Sequence, residues 1–307
     1  MKSKGKLSWK KIVNSSQLYL MFFLPLVWFL VFCYGPMYGV LIAFKDYQIS
    51  KGILGSPWVG FANFSKFFSD FRFASLLVNT LRISVYNLLV GMPFAILLAL
   101  ALHNCDSKRL KSIFQTITYA PHFISTVVIV GMLIQFLHPR FGAINAVMKS
   151  MGMRTISFMS QPTYFVHIYV WSDVWQHAGW GSIIYLSALS SVDISLYDAA
   201  MVDGASRFQR TLHIDLPSIM PTIVITAILN VGGLLDVGFE KVYLMQNNLN
   251  LSQSEIISTY LYKMGVASTL PNYSYGTAIG LFNSLIGLIL IVGVNWLSRK
   301  TTDANLW

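Results

Sequence analysis

Long apolar runs alternate with shorter polar segments along the chain, and this pattern predicts a bundle of membrane-spanning helices. A bilayer core of about 30 Å needs about 20 apolar residues per helix. The stretches that meet this length cover residues 17–43, 75–102, 112–136, 164–188, 219–237 and 274–298. Pro25 and Pro36 lie in the first stretch and predict a kink or an early end in its outer part.

The composition supports a membrane protein and excludes other classes. The 307 residues are 55% hydrophobic and 11% charged, with a mean hydropathy of +0.58, whereas a soluble domain carries about 25% charged residues. Such a chain cannot be solvated on all sides, and it is neither disordered nor a disulfide-rich secreted domain. Cys33 and Cys105 fall near opposite ends of successive apolar runs, so we expect no disulfide.

The distribution of basic residues predicts the orientation in the membrane. Five lysines precede residue 12, and the formal net charge is +10. With both ends inside, the inner segments carry the higher density of cations, as the positive-inside rule requires. We therefore predict a multi-pass membrane protein with a basic cytoplasmic N-terminus (1–16), a transmembrane domain (17–298) and a cytoplasmic C-terminus (299–307). Topology accounts for these lysines, and the sequence has no aromatic-interleaved basic motif for nucleic-acid binding.

The predicted outer segments, residues 44–74, 137–163 and 238–273, are too short for an independent core. The first is rich in aromatic side chains, namely Trp58, Phe61, Phe64, Phe67, Phe68 and Phe71. This density favours a helix that lies on the bilayer surface. Its aromatic residues serve either to anchor the protein in the interface or to dock a partner.

The motifs of common enzyme classes are missing from the sequence. It contains no G-x-x-x-x-G-K-[ST], H-E-x-x-H, C-x-x-C or G-x-S-x-G, so we expect no nucleotide site, cofactor or enzymatic activity in the chain alone. His167 and His177 share one predicted helix, but ten residues separate them by about 15 Å along its axis, too far to bind one metal ion. We therefore predict no metal site.

The predicted inner loop between the fourth and fifth spans, about residues 190–218, has the most informative pattern. Residues 197–221 read YDAAMVDGASRFQRTLHIDLPSIMP and predict two short helices around a turn. Asp193 and Ser195 are capping residues for the first helix, Gly204 permits a sharp turn, and Pro217 restarts or kinks the path into the next span. Small side chains on one helix face favour the close approach of another protein.

This spacing resembles the coupling-loop motif of bacterial binding-protein-dependent ABC importer permeases: E-A-A, three residues, G, nine residues, I-x-L-P. An aspartate, one methylene shorter, stands where the family usually has glutamate. The positions that match the motif or flank its glycine are Asp198, Ala199, Ala200, Asp203, Gly204, Ala205, Ile214, Leu216 and Pro217. Further segments are similar to the oligosaccharide and polysaccharide subfamily: PWVGFANF, YAPHFIST, GWGSIIYLSAL, GFEKVYLM, STYLYKMG and the terminal LW.

The resemblance implies the type I ABC importer permease fold, all-α, with about six transmembrane helices and a cytoplasmic coupling-helix loop. The implied partners are a second homologous permease subunit in a heterodimer, a cytoplasmic ABC ATPase dimer that binds ATP and Mg, and an extracytoplasmic solute-binding lipoprotein. The implied substrate is an oligosaccharide or glycan. Each unpaired hydroxyl in hydrocarbon costs several kcal/mol, so such a substrate needs a polar path with alternating access.

Polar residues within the predicted spans are the candidates for this path, because such groups usually face the bundle interior or a cavity. They are Asn79, Arg82, Tyr86, Asn87, His122, Asp173, Trp175, Gln176, His177, Asn230, Asp236 and Asn283. Structural roles compete with a transport role for several of them. Arg82 is long enough to reach lipid headgroups, Asp173 and His177 are spaced to pair with each other, and Trp175 is suited to packing.

Two other functions stay open at this point. One is an intramembrane enzyme that uses Asp173 and His177 as acid and base, which predicts turnover by the purified chain alone. The other is a membrane receptor or scaffold whose inner loop docks a signalling protein, which predicts binding without transport.

Overall fold

The structure is a computed structural model that describes residues 16–301 of the chain. Within this range the chain is helical, with no β-strand beyond an isolated bridge between Lys45 and Trp58. The predicted basic N-terminal segment and the terminal LW lie outside the described residues. Cys33 and Cys105 are both free thiols.

The α-helices are numbered here in chain order. They are α1 (Ser16–Phe29), α2 (Gly52–Gly55), α3 (Ala62–Phe68), α4 (Phe73–His103), α5 (Lys108–Tyr119), α6 (Thr126–Phe136), α7 (Ala143–Ser150), α8 (Pro162–Ser190), α9 (Ile194–Val202), α10 (Arg207–Arg210), α11 (Leu216–Gly232), α12 (Phe239–Met245), α13 (Leu251–Ser254), α14 (Ile257–Gly265) and α15 (Tyr273–Thr301). The π-helical turns are Leu30–Tyr34 and Thr211–Asp215, and the 3-10 helices are Gly35–Phe44, Ile49–Lys51, Ala120–Phe123 and Phe158–Ser160.

Helices long and apolar enough to cross a membrane agree with the predicted bundle. Four qualify singly, and two bent pairs bring the number to six if each pair counts as one span. The single helices are Ser16–Phe44, Phe73–His103, Arg207–Gly232 and Tyr273–Lys300, and the pairs are Lys108–Phe123 with Thr126–Phe136 and Pro162–Ser190 with Ile194–Val202. In the second pair, α8 alone has 29 residues, which at 1.5 Å each extend about 43 Å and exceed the bilayer core.

The first span does not end early at its prolines. Its helical structure continues to Phe44, but a π turn, Leu30–Tyr34, comes directly before Pro36. Here the Gly35 N–H donates to the carbonyl of Leu30, five residues back. Proline lacks an N–H, and its ring clashes with the carbonyl four residues earlier, so a wider turn accommodates it.

The third predicted span, residues 112–136, corresponds to a bent pair of helices and not to a single straight one. The chain turns by 99° between its two halves. Pro121 lies in the 3-10 turn at this bend, and Ile124 is extended. Ser125 then caps α6, because its side chain accepts a hydrogen bond from the Val128 N–H. His122, predicted within the span, therefore lies at the break.

The fifth span begins earlier and ends sooner than the predicted range, 219–237. It begins at Arg207 and continues to Gly232. Pro217 therefore does not restart a helix, since the π turn before it keeps the span continuous. Asp236 lies beyond the end of the span, because Gly232 and Gly233 disfavour its continuation.

The long helices α4 and α8 pack against each other at the centre of the bundle. One apolar cluster joins them to α12 through Ile83, Phe165 and Val242, and a second joins them to α11. The helix α8 also approaches α5 closely at Gly179, where a Cβ atom would overlap the carbonyl group of Thr118 in α5. Glycine is required here because the α5 backbone occupies the space of a side chain.

The outer aromatic segment lies only partly at the surface. Phe67 of α3 is fully buried and contacts the Phe282 ring of α15 edge to face at 5.5 Å, whereas Phe61 and Phe71 are exposed. The expectation of a surface helix is therefore wrong for Phe67, because α3 packs on α15. The exposed aromatic side chains fit either anchoring in the membrane interface or docking of a partner.

Polar contacts attach the same outer segment to α14. The Tyr260 hydroxyl donates to Asp70 at 2.7 Å, and Arg72 contacts both residues. Burial opposes ionisation of Asp70, but the hydrogen bonds from Tyr260 and Arg72 outweigh it and lower the pKa of the Asp70 carboxyl. The Asp70 carboxylate thus holds α14 and the segment that follows α3 together.

We predict that Gly179→Ala destabilises the protein by about 1–3 kcal/mol, because the added methyl group meets backbone that cannot move aside. Gly131→Ala is the matched control, since a Cβ there meets no atom within 4 Å and alanine favours a helix. Thermal unfolding in detergent measures both variants. Equal midpoints for wild type and Gly179→Ala would contradict the close approach of α5 and α8.

Candidate functional site

The loop between the fourth and fifth spans folds as a capped helix and a sharp turn, as predicted. Asp193 is the N-cap of α9, and a hydrogen bond from the Ser195 backbone N–H to its carboxylate lowers the pKa of Asp193. At the other end Gly204 has φ of 76°. The Gly204 N–H donates to Met201 and the Ala205 N–H donates to Ala200, which is the hydrogen-bond pattern of a Schellman motif.

The motif positions occupy three parts of this loop. Asp198, Ala199 and Ala200 lie on α9, and Asp203, Gly204 and Ala205 form the turn that follows it. Ile214, Leu216 and Pro217 lie in the π turn and at the start of α11. Asp198 and Gly204 are exposed.

An apolar surface also surrounds the turn at Gly204. Val202 is 88% exposed and Phe208 is 76% exposed, one on either side of the glycine. A capping box formed by Ser206 and Gln209 fixes the start of α10. Large exposed apolar side chains on a rigidly capped loop are typical of a protein-docking surface.

A cavity of about 550 Å³ lies between α4, α8 and the end of α11. Its wall contains polar side chains from all three helices and from the turn after α11. Five of the predicted path residues line it: Asn87, Asp173, His177, Asn230 and Asp236. Tyr185 and Thr226 also line it, and a hydrogen bond of 2.9 Å between their hydroxyl groups joins α8 to α11.

Asp173 is fully engaged by donors on three helices. Lys241 Nζ of α12 lies 3.2 Å from its Oδ1, His177 Nδ1 lies 3.3 Å from the same oxygen, and Asn87 donates to Oδ2 at 3.0 Å. The Lys241 side chain is 4% exposed. Lys241 neutralises the Asp173 carboxylate at the cavity wall. The contacts of Asp173 are those of a structural ion pair and not of a free catalytic acid or base.

Three predicted path residues from α4 make contacts outside this cavity. Asn79 is buried and donates to the carbonyls of Ser252 and Glu255. Arg82 donates to the side chain of Gln253, and Tyr86 contacts His167. Asn79 and Arg82 thus join α4 to the segment around α13, while Tyr86 joins it to α8.

The other predicted residues outside the cavity are His122, Trp175, Gln176 and Asn283. The His122 ring stacks on Trp180 at 4.5 Å, and its centroid is 5.6 Å from that of His177, next to the cavity. Gln176 is buried and donates to the Ile124 carbonyl at the break in the third span. Trp175 is half exposed on another face of α8, and Asn283 lies on α15.

Sequence reasoning missed Lys241, Tyr197 and Asp215. Lys241 lies in the predicted outer segment 238–273, where nothing in the sequence marks it, although the structure buries it. Asp215 is the undefined position of the I-x-L-P part of the coupling-loop motif, and Tyr197 directly precedes the motif. A charged residue directly before Leu-Pro, in a stretch that enters an apolar run, is a signal that this position has a partner.

No group of three or more His, Cys, Asp or Glu side chains within residues 16–301 is arranged to hold a metal ion. His177 and His122, the nearest pair of histidine rings at the cavity, belong to the aromatic cluster with Trp180.

We predict that Lys241→Met destabilises the protein by about 3 kcal/mol, because it leaves the Asp173 carboxylate without its cation. The double variant Lys241→Met/Asp173→Leu removes both charges and should recover most of the loss. The midpoint of thermal unfolding in detergent tests both. If Lys241→Met unfolds with the wild type, the ion pair does not stabilise the fold.

Known proteins resemble the chain over nearly its whole length. A family profile described as "Binding-protein-dependent transport system inner membrane component" matches residues 91–303. Protein LplB of Bacillus subtilis (strain 168) is 42% identical over 302 residues, which cover 98% of this chain and 94% of that protein. The polygalacturonan/rhamnogalacturonan transport system permease protein YteP of the same organism is 40% identical over 306 residues, which cover 100% of this chain and 95% of that protein.

A solved structure agrees with the fold. One chain of a bacterial alginate ABC transporter, in complex with alginate pentasaccharide-bound periplasmic protein, superimposes with a TM-score of 0.89. It is 37% identical, and the match covers 98% of this chain and 100% of that chain. The predicted fold, an all-α type I ABC importer permease with several membrane spans, is confirmed. The profile match and the full-length relatives together show that this multi-pass membrane protein belongs to the family of binding-protein-dependent transport system inner membrane components, which are transport permeases.

Proposed function

We propose that the chain is one of two permease subunits of an ATP-driven importer, and that it moves an oligosaccharide derived from an acidic polysaccharide into the cell. The observation that carries this proposal is the cavity between α4, α8 and α11, whose wall combines apolar side chains with polar groups from each of the three helices. A sugar that leaves water needs hydrogen-bond partners along its route. The relative YteP and the alginate transporter point to the substrate class.

Within the cavity we assign substrate contact to His177, Asn87, Asn230 and Asp236. Asp173 takes a positioning role, because its oxygens already accept from Lys241, His177 and Asn87. Asn79, Arg82, Tyr86 and Gln176 support the helices around the path. The second permease subunit, a homologue that forms a heterodimer with this chain, would complete the route with its own cavity.

Charge supports an acidic substrate. Uronic acid polymers carry one carboxylate per uronate residue at neutral pH, so positive charge near the path attracts them. At the cavity wall Lys241 neutralises Asp173, and Asp236 is left to accept hydrogen bonds from sugar hydroxyl groups. The segment between α6 and α8 contains no acidic residue and exposes Arg140, Lys149 and Arg154, so in the proposed topology the outer surface near the path favours anions.

The loop around Gly204 is the proposed contact with the motor. We place it in the cytoplasm, with both termini, where a partner ATPase dimer holds ATP and Mg and this chain contributes no nucleotide site. Val202 and Phe208 offer an exposed apolar surface, and the caps of α9 and α10 make the loop rigid enough to transmit force. Asp198 lies on the same helix as an exposed charge for a cation of the ATPase.

Transport then requires two states of the bundle. A solute-binding lipoprotein delivers the sugar from outside, nucleotide binding favours the outward state, and hydrolysis restores the inward state. A ligand shifts such an equilibrium only by its difference in affinity for the two states, so nucleotide must favour one of them by several kcal/mol.

The first test is uptake into proteoliposomes that contain the chain with its partner permease, ATPase and binding protein. We expect ATP-dependent uptake of a galacturonate tetrasaccharide and weaker uptake of a neutral tetrasaccharide. His177→Ala should raise the half-saturating sugar concentration about threefold to tenfold, since one hydrogen bond is lost. The matched control is His167→Ala, a histidine of α8 outside the cavity. Uptake of the neutral sugar alone would overturn the substrate class, and no uptake of either would favour a receptor or scaffold.

The second test concerns the turn. Gly204→Val places a β-branched residue at positive φ, which costs about 1–2 kcal/mol and opens the turn. We expect an inserted, assembled complex that hydrolyses ATP with little sugar uptake. Gly204→Asn is the control, because asparagine tolerates this conformation, and it should retain most of the uptake. Wild-type uptake by Gly204→Val would exclude a coupling role for the turn.

A further inference from the structure

We propose that four residues, His103, Asn104, Tyr197 and Asp215, act as a loop lock that positions the coupling helix α9 against the ends of the second and fifth spans. Tyr197 and Asp215 are positioning residues in this view, and they carry movement of α9 into the cavity walls. This inference rests on the proposed function, because it assumes that α9 receives force from an ATPase.

The geometry of the loop lock centres on one carboxylate. Asp215 is 0% exposed. The Tyr197 hydroxyl donates to its Oδ1 at 2.6 Å, Asn104 donates to its Oδ2 at 3.3 Å, and His103 Nε2 lies 3.9 Å from Oδ1. An acidic residue at the end of a membrane span is buried here because donors from two other segments surround it.

The hydrogen bonds also determine that Nε2 of the His103 imidazole carries a proton. The single phenol proton of Tyr197 is donated to Asp215, so the 3.3 Å contact between His103 Nε2 and the Tyr197 oxygen requires a proton on that nitrogen. Burial and the hydrogen bond to the Asp215 carboxylate raise the pKa of the Tyr197 hydroxyl. Tyr197 therefore stays protonated, and able to donate to Asp215, throughout the physiological pH range.

Tyr197 is the principal attachment of α9. None of the residues of α9 is buried, so this helix has no apolar core contact that ties it to the bundle. Within residues 16–301, Tyr197 is the one side chain of α9 that hydrogen-bonds to a span. A force applied to α9 must pass through this side chain or through the peptide chain at the two ends of the helix.

The loop lock leads directly to the proposed sugar site. His103 is the last residue of α4, and Asp215 ends the π turn that continues into α11. Both helices form walls of the central cavity, through Asn87 on α4 and Asn230 on α11. A shift of α9 that is transmitted by Tyr197 and Asp215 therefore moves two of the helices that form the cavity wall.

The test measures the number of ATP molecules hydrolysed per sugar imported by the assembled importer in proteoliposomes. Tyr197→Phe removes the phenol oxygen and keeps the ring, and we expect it to raise this ratio about tenfold, the effect of losing one hydrogen bond to a buried charge. Asp215→Asn keeps an acceptor for Tyr197 and should be intermediate. Asp215→Leu should match Tyr197→Phe, and the double variant Tyr197→Phe/Asp215→Leu should be no worse than either single variant.

Tyr164→Phe is the matched control, since its ring lies near the other end of α8 and its hydroxyl makes no hydrogen bond within the described residues. Its ratio should equal that of the wild type. Poor folding of a variant lowers hydrolysis and uptake together and leaves the ratio unchanged, so the ratio separates coupling from stability. A wild-type ratio for an assembled Tyr197→Phe importer would overturn the loop lock. A wild-type importer that fails to transport would instead contradict the proposed function.

Discussion

Hydrocarbon offers no hydrogen-bond partner to a peptide group, and this constraint explains the irregular features of the bundle. Proline removes a donor in the first and fifth spans, and in both the preceding turn widens so that an N–H reaches a carbonyl five residues back. The third span breaks at Pro121 instead, where Ser125 supplies a side-chain acceptor for the N-terminus of α6. The widened turns thus keep the first and fifth spans continuous, whereas the cap at Ser125 lets a new helix start after the break at Pro121.

The same constraint gathers the ionised side chains into a few clusters. Asp173 accepts from groups on α4, α8 and α12, and Asp215 accepts from groups on α9 and at the end of α4. An apolar interface tolerates small sliding movements, whereas a carboxylate with two or three directional donors holds helices in one relative position. Removal of one partner is costly because the remaining charge stays buried. These clusters therefore define which helices move together.

Local signals in the sequence were enough to predict the turn of the coupling loop, but not the long-range polar contacts of Asp173 and Tyr197. The turn of the coupling loop follows from Asp193 and Gly204, which act within four residues of the backbone groups that they satisfy. The approximate span positions also follow from hydropathy, apart from the break in the third span and the ends of the fifth. By contrast, Lys241 and Asp173 are 68 residues apart, and Tyr197 and His103 are 94 apart. No periodicity or propensity reports such contacts, because they depend on how α4, α8 and α12 pack.

The helix α4 contacts both carboxylate clusters, one at Asn87 and the other at its C-terminal end. The walls of the cavity formed by α4 and by the fifth span therefore differ in stiffness. Asn87 and His103 are separated by 16 residues of one helix, about 24 Å along its axis. Asn87 donates to Asp173, and His103 contacts Tyr197, the partner of Asp215. Each of the two walls contains a proline inside a helix, Pro93 in α4 and Pro221 in α11, but the fifth span also has a π turn and a glycine pair at its end. We therefore expect the fifth span to bend more readily than α4. Asn230 and Asp236 make no side-chain hydrogen bond within the described residues, so the wall that bends is also the wall whose polar groups are free to follow a sugar.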